Sequence, residues 1–150
     1  MEVRRLRTHE AHLGLDALRL LKGPDGYPMP SVEYLSRFLT RSDNVLIVAI
    51  DGDQPVGYLV AYLLDRVDRD QQMMFFYEIS VAETHHRRGV GAAMIRLLKA
   101  CCREQGVMKM WVHTNKSNIA AMGLYQSTGG EADPSGDEIT FLYTAESYDE

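Results

Sequence analysis

The run Val81-Ala82-Glu83-Thr84-His85-His86-Arg87-Arg88-Gly89-Val90-Gly91-Ala92-Ala93 joins the end of an apolar strand to a helix through a turn rich in Arg and Gly. The first turn of a helix has backbone N–H groups without intrahelical acceptors, and the positive end of its dipole points the same way. Such a terminus attracts anions. Gly89 and Gly91 allow backbone to approach an oxyanion closely, and Arg87 and Arg88 add positive charge. A diphosphate is the natural occupant; a tight turn on a basic surface is the plainer alternative. The dinucleotide fingerprint needs a third glycine where Met94 stands. No Gly-Lys-Ser/Thr is present for a P-loop.

A second chemical group lies just upstream. Glu78 is an acid inside the otherwise apolar run Phe75-Phe76-Tyr77-Glu78-Ile79. Burial disfavours the charged carboxylate and makes it a stronger base. Glu78 is therefore the candidate general base. The alternatives are a carboxylate salt-bridged to an Arg or one that only binds a cationic substrate. His9-Glu10-Ala11-His12 lacks the two residues between Glu and the second His that a zincin needs, and no metal site is expected. His113 and Trp111 read as structural. Cys101 and Cys102 are adjacent and cannot staple the fold, so a reducing, cytoplasmic setting is expected.

These residues need a scaffold, and hydrophobic periodicity supplies one. A first strand is expected over 3–7 and a helix over 9–22, broken by Gly23-Pro24-Asp25-Gly26. A second helix follows over 31–40, then a hairpin from strands over 45–50 and 56–64. Residues 73–82 read as a strand apolar on both faces, as in mid-sheet. Met94, Leu97, Leu98 and Cys101 give the next helix its apolar stripe, and Gly106 ends it. A strand over 107–114, a helix over 118–128 and a last strand over 139–144 complete the chain. Strand, helix, strand over this length is a βαβ unit with a parallel pair. The expectation is one α/β domain over residues 1–150, a mixed and mostly antiparallel sheet flanked by helices.

The chain has 150 residues and a net charge of −5, which argues against a nucleic-acid partner. No apolar run approaches the roughly 18 residues of a membrane span, and the first residues do not read as a signal peptide. Between Glu131 and Glu150 there are seven acidic residues and no Lys or Arg. That stretch is either a solvated surface or a wall that attracts a polycation.

The turn and the helix after Asn118 together resemble the GNAT acetyltransferase superfamily. Its pattern Arg/Gln-x-x-Gly-x-Gly/Ala reads here His86-Arg87-Arg88-Gly89-Val90-Gly91, with His86 as a departure. Its second signature, Asn-x-x-Ala-x-x-Leu-Tyr-x-x-x-Gly-Phe, is matched by Asn118, Ala121, Leu124, Tyr125 and Gly129, with Gly130 replacing Phe. The resemblance covers roughly residues 45–143. Within the superfamily, the sequence is similar to aminoglycoside 3-N-acetyltransferases of the gentamicin-resistance type in its hairpin and in the acid after Tyr77. The segment Thr114-Asn115-Lys116-Ser117-Asn118 has fewer acids than those enzymes would be expected to carry.

The resemblance implies acetyl-CoA as co-substrate and a primary amine as acceptor. It implies that backbone from Arg87 to Ala92, including Val90, grips the pyrophosphate. It also implies that Ile79 and Val81 pair with the pantetheine arm and that the Asn118 side chain caps it. A backbone N–H near Ser80 or Val81 would serve the thioester oxygen, and Glu78 would act through water. Tyr125 would protonate the leaving thiolate, its alternative being a core aromatic. Relatives often form homodimers through a sheet edge or the C-terminal strand. Three functions follow as expectations: acetylation of a small polycationic amine with an aminoglycoside foremost, acetylation of a peptide or polyamine, and acyl-CoA sensing without turnover.

Overall fold

The computed structural model describes residues 1–147. Asp149 and Glu150 of the acidic stretch lie outside the described residues. The elements run β1 (Glu2–Arg5), α1 (Ala11–Leu21), α2 (Val32–Thr40), β2 (Asn44–Asp51), β3 (Gln54–Asp65), β4 (Gln72–Val81), α3 (Val90–Glu104), β5 (Lys109–Trp111) and α4 (Ile119–Ser127). A 3-10 turn at Thr8–Glu10 leads into α1, and another at Gly23–Asp25 follows it. Ser31 caps α2 by accepting from the Tyr34 N–H at 3.1 Å.

The sheet is ordered β1-β2-β3-β4-β5. The first three pairings are antiparallel and β4–β5 is parallel. Alternation along the strands separates two apolar layers. Leu46, Val48, Ile50 and Tyr58 face α1 and α2, where they meet Leu15, Ala17, Leu35 and Leu39. Val45, Ile47, Leu59, Ala61, Met74 and Phe76 face the other way, onto Val90, Met94, Ile95 and Leu98 of α3. The sheet is thus the middle of three layers. Among the described residues, no helix is long and apolar enough to cross a membrane.

Two elements differ from the sequence expectation. The strand expected over 107–114 pairs only at Lys109–Trp111, because β4 and the chain after Trp111 diverge beyond the Phe75–Trp111 pair. The strand expected over 139–144 is absent. Those residues have the apolar content of a strand but no ladder partner, and Ile139, Phe141, Leu142 and Tyr143 are all exposed. Alternating apolar residues make a strand only where a neighbour takes the backbone hydrogen bonds.

Candidate active site

The divergence of β4 from β5 opens a slot in the sheet. β4 extends to Val81 but pairs with β5 only over Met73–Phe75. Beyond that, among the described residues, no strand covers its outer edge. The register says which groups face the slot. Ala82 N–H donates to Val56 O at 2.9 Å, so Gly57–Val81 is a wide pair whose own N–H and C=O groups point away from each other. By alternation, Leu59–Ile79 is the same. The backbone groups of Ile79 and Val81 therefore face the slot. Those of Ser80 turn inward to Tyr58, which removes Ser80 N–H as a donor to a thioester oxygen in the slot. The Val81 carbonyl bonds His86 Nε2 at 2.7 Å. His86, the departure from the usual Arg or Gln, thus ties the turn back to β4.

A β-bulge sets the direction of Glu78. Val60 opposes Glu78 while Ala61 opposes Phe76, so Tyr77 is an extra residue on β4. Phe76 points to the α3 side, whereas Tyr77 and Glu78 both turn to the side of α1 and α2. Tyr77 joins an edge-to-face row, with ring centroids 5.8 Å from Tyr62 and 5.7 Å from Phe75. Phe75 in turn stacks on Trp111 at 5.1 Å. The Glu78 carboxylate accepts from the Tyr58 hydroxyl. It also accepts from Lys22 Nζ at 3.1 Å to each oxygen. The salt-bridge alternative thus has a partner, a lysine where an arginine was expected.

The Lys22 ammonium lies 4.8 Å from the Tyr27 ring centroid. Burial, with the neighbouring carboxylate, raises the Tyr58 hydroxyl above the ordinary tyrosine range. Sequence reasoning missed Lys22, Tyr58 and Tyr27. Lys22 read only as the end of a helix and Tyr58 as a strand aromatic. No local signal marks a bulge or a contact across 56 positions.

The Arg-Gly turn has the backbone an anion site requires. Arg87 has φ of 61° and Gly89 of 78°. Gly89 is the N-cap of α3 and offers no side chain; the first helical turn carries no acid. Ala93 N–H is the first to find an intrahelical acceptor, Gly89 O at 2.9 Å. The preceding N–H groups of Val90, Gly91 and Ala92 have no such partner among the described residues. Arg87 and Arg88 are exposed beside them.

The two glycines differ in purpose. A Cβ on Gly89 would meet nothing, so its conformation is the requirement. A Cβ on Gly91 would come within 3.0 Å of Leu124 Cδ2, so Gly91 serves the packing of α3 against α4. His85 Nε2 sits 3.0 Å from Asp51 and anchors the turn to the β2–β3 hairpin.

Tyr125 lies on the opposite face from Glu78. Its ring packs edge-on to Phe76 at 5.6 Å. Burial raises its hydroxyl above the ordinary value, which keeps it a proton donor. Asn118 is the N-cap of α4, and its Oδ1 accepts from Ala121 N–H at 3.1 Å. Gly129 ends that helix at φ of 94°. A Cβ on Gly130 would strike Tyr125 O at 2.9 Å, so Gly130 permits the close turn that holds Tyr125.

A cavity of about 430 Å³ opens between α4 and the chain after β5, lined by Phe76, Trp111, Val112, His113, Lys116 and Tyr125 among others. Glu78 is not in that lining. The acids of the β3–β4 connection lie at the far end of those strands. Asp68 there is paired with Arg66 at 2.6 Å, and Asp65 accepts from Gln72.

This architecture is shared with solved structures. An aminoglycoside acetyltransferase from an uncultured soil metagenomic sample, solved with trehalose, superposes with a TM-score of 0.86 over 95% of each chain at 23% identity. The same enzyme solved with sisomicin gives 0.86 at 22% identity, again over 95% of each chain. Among curated sequences, the ribosomal protein bS18 alanine N-acetyltransferase of Escherichia coli is 32% identical over 73 residues, 49% of this chain and 48% of that protein. Human N-acetyltransferase 8B is 27% identical over 92 residues, 61% of this chain and 40% of that protein. The matches thus span less than half the length of these curated relatives. The family model for the acetyltransferase (GNAT) family matches residues 13–129, which take in the slot, the turn and α4. The chain belongs to the acetyltransferase (GNAT) family.

Proposed function

We propose that the chain is an acetyl-CoA-dependent N-acetyltransferase acting on a primary amine of a small cationic acceptor, with an aminoglycoside as the first candidate. The observation that carries this reading is the open edge of β4 leading into an uncapped helix N-terminus. An extended pantetheine arm fits a strand edge, and a pyrophosphate fits free N–H groups at a helix start. Acetyl-CoA supplies the activated acetyl group as a thioester. Backbone of Ile79 and Val81 holds the arm, backbone from Arg87 to Ala92 holds the pyrophosphate, and Arg87 and Arg88 add charge. The amide end of Asn118, whose oxygen already caps α4, is left to meet the arm.

An amine with the pKa of lysine, ~10.4, is only about one part in a thousand neutral at pH 7. Glu78 accepts its proton, directly or through water, from the face of α1 and α2. The Ile79 or Val81 N–H stabilises the thioester oxygen in the slot. Tyr125 donates to the departing thiolate from the other face. Each side-chain role typically contributes ~10²–10⁴-fold.

A second acceptor class is favoured by the ribosomal-protein relative and by two exposed rings near Glu78: Tyr27, 4.8 Å from the Lys22 ammonium, and Tyr77, its neighbour in β4. Exposed rings next to the candidate base suit a peptide amine. Release of coenzyme A thiol from acetyl-CoA tests both, with gentamicin, kanamycin, spermidine and a lysine peptide as acceptors. Turnover with gentamicin supports the aminoglycoside reading. Turnover only with spermidine or peptide reassigns the acceptor. Tight coenzyme binding without turnover on any amine points to the sensor. The homodimer implied by the resemblance would cover Ile139, Phe141, Leu142 and Tyr143, and sedimentation velocity at two concentrations tests it.

A further inference from the structure

The fold holds a primary amine of its own at the candidate base. Lys22 is the C-cap of α1, and its Nζ is 3.1 Å from both Glu78 oxygens. A carboxylate on one side and the Tyr27 ring on the other is chemistry that holds a primary ammonium. The Tyr58 hydroxyl fixes the same carboxylate from below. A general base acts across ~2.6–3.2 Å from the atom that gives up the proton, and Lys22 Nζ meets that condition. Among the described residues, it is the only lysine in an ion pair. Lys99, Lys109 and Lys116 are the other lysines. Lys99 donates to the Thr128 carbonyl on the far side of the sheet.

We propose that Lys22 is an internal acceptor: its amine occupies the place of the acceptor amine and, when no free amine is present, is acetylated in cis. The proposal rests on the acetyltransferase reading above, with acetyl-CoA as the acetyl donor. Glu78 takes one proton from the Lys22 ammonium and passes it to solvent. The neutral nitrogen attacks the thioester carbon; the N–C bond forms and the C–S bond breaks. The thiolate takes a proton from Tyr125, and the second proton lost by nitrogen restores the phenol through solvent. The products are one acetyl-lysine, one free coenzyme A and one proton. A cationic acceptor must displace Lys22 from Glu78, so acceptor and self-acetylation compete. Once acetylated, Lys22 has no charge to pair with Glu78, its amide fills the cage, and turnover of free amines falls with the same time course.

The test is peptide mass spectrometry of the whole chain incubated with acetyl-CoA alone, at two protein concentrations about a hundredfold apart. The expected result is acetylation of Lys22 well before Lys99, Lys109 or Lys116, with the same half-time at both concentrations. A saturating amine acceptor should suppress it, and Glu78→Gln should abolish it. Lys22→Arg keeps the ion pair and should take up no acetyl group at that position. Protection by acceptor is read on the parent protein, so the test does not depend on how well a variant folds. Lys22 acetylated no faster than the other lysines, or at a rate that rises with protein concentration, overturns the proposal. An unmodified Lys22 beside rapid turnover of a free amine overturns it while leaving the acetyltransferase reading intact. Failure of both turnover and Lys22 acetylation defeats the two together.

Discussion

Tyr58→Phe removes one oxygen from the middle of the protein and leaves the ring in place. Tyr58 is 1% exposed, and its hydroxyl donates to Glu78. A hydrogen bond to a charged acceptor contributes ~1.5–3 kcal/mol net. Phenylalanine also spares the burial of a hydroxyl, which offsets part of that, so the expected loss is about 1–2 kcal/mol. Lys22 still meets both oxygens, so the half-buried Glu78 is not left unpaired. For a chain of this length, each 1 kcal/mol moves Tm by about 2–4 °C, so the melting midpoint should fall by roughly 2–8 °C. Glu78 also loses one of the two contacts that aim it. Misplacement of a catalytic group by a fraction of an ångström should lower kcat by about tenfold. KM for acetyl-CoA should not change, because Tyr58 lies on the face away from α3. Thermal melts and coenzyme A release measure the two effects. A Tm within about 1 °C of the parent, together with an unchanged kcat, would refute the idea that this hydroxyl orients Glu78.

Gly91→Ala gains helix propensity of ~0.8–1 kcal/mol but forces Leu124 away from a 3.0 Å contact. Overpacking typically costs ~1–3 kcal/mol, so the variant should melt lower; a higher Tm would mean that α4 yields freely. Replacing Arg87 and Arg88 together by Ala should weaken acetyl-CoA binding more at low salt than at high salt, as titration calorimetry at two ionic strengths would show; equal loss at both would argue against a charge contact. The raised Tyr125 hydroxyl keeps its proton past the ordinary value of ~10. The kcat profile should therefore show no falling limb from that group as pH rises to about 10, and Tyr125→Phe should lower kcat at every pH. A limb centred near pH 9 that vanishes in Tyr125→Phe would contradict the raised hydroxyl, and parent kcat in Tyr125→Phe would contradict its role as proton donor.

Much of the scaffold was legible because its signals are local. The stripe of Met94, Leu98 and Cys101 and the turn glycines each declare an element within one or two turns of chain. Residues 73–82 read as a mid-sheet strand, and only the register shows that the backbone groups of Ile79 and Val81, and not those of Ser80, face the slot. The last strand was misread because its apolar residues say nothing about whether a neighbour exists. Gly91 was read for an anion, and its second service, leaving room for Leu124, was hidden because sequence does not show what a missing Cβ would touch. Lys22 escaped notice for a deeper reason. Its meaning is fixed by Glu78, and their meeting depends on a bulge at Tyr77 that no composition or spacing announces.

If Glu78 is the base at one mouth of a slot whose other parts bind the coenzyme, binding and turnover should separate when its charge is removed. The most direct measurement pairs acetyl-CoA affinity with turnover for Glu78→Gln, using whichever amine the parent acetylates. Affinity should stay within about twofold of the parent while kcat falls by ~10²–10⁴-fold. Turnover kept at the parent rate would contradict that role for Glu78.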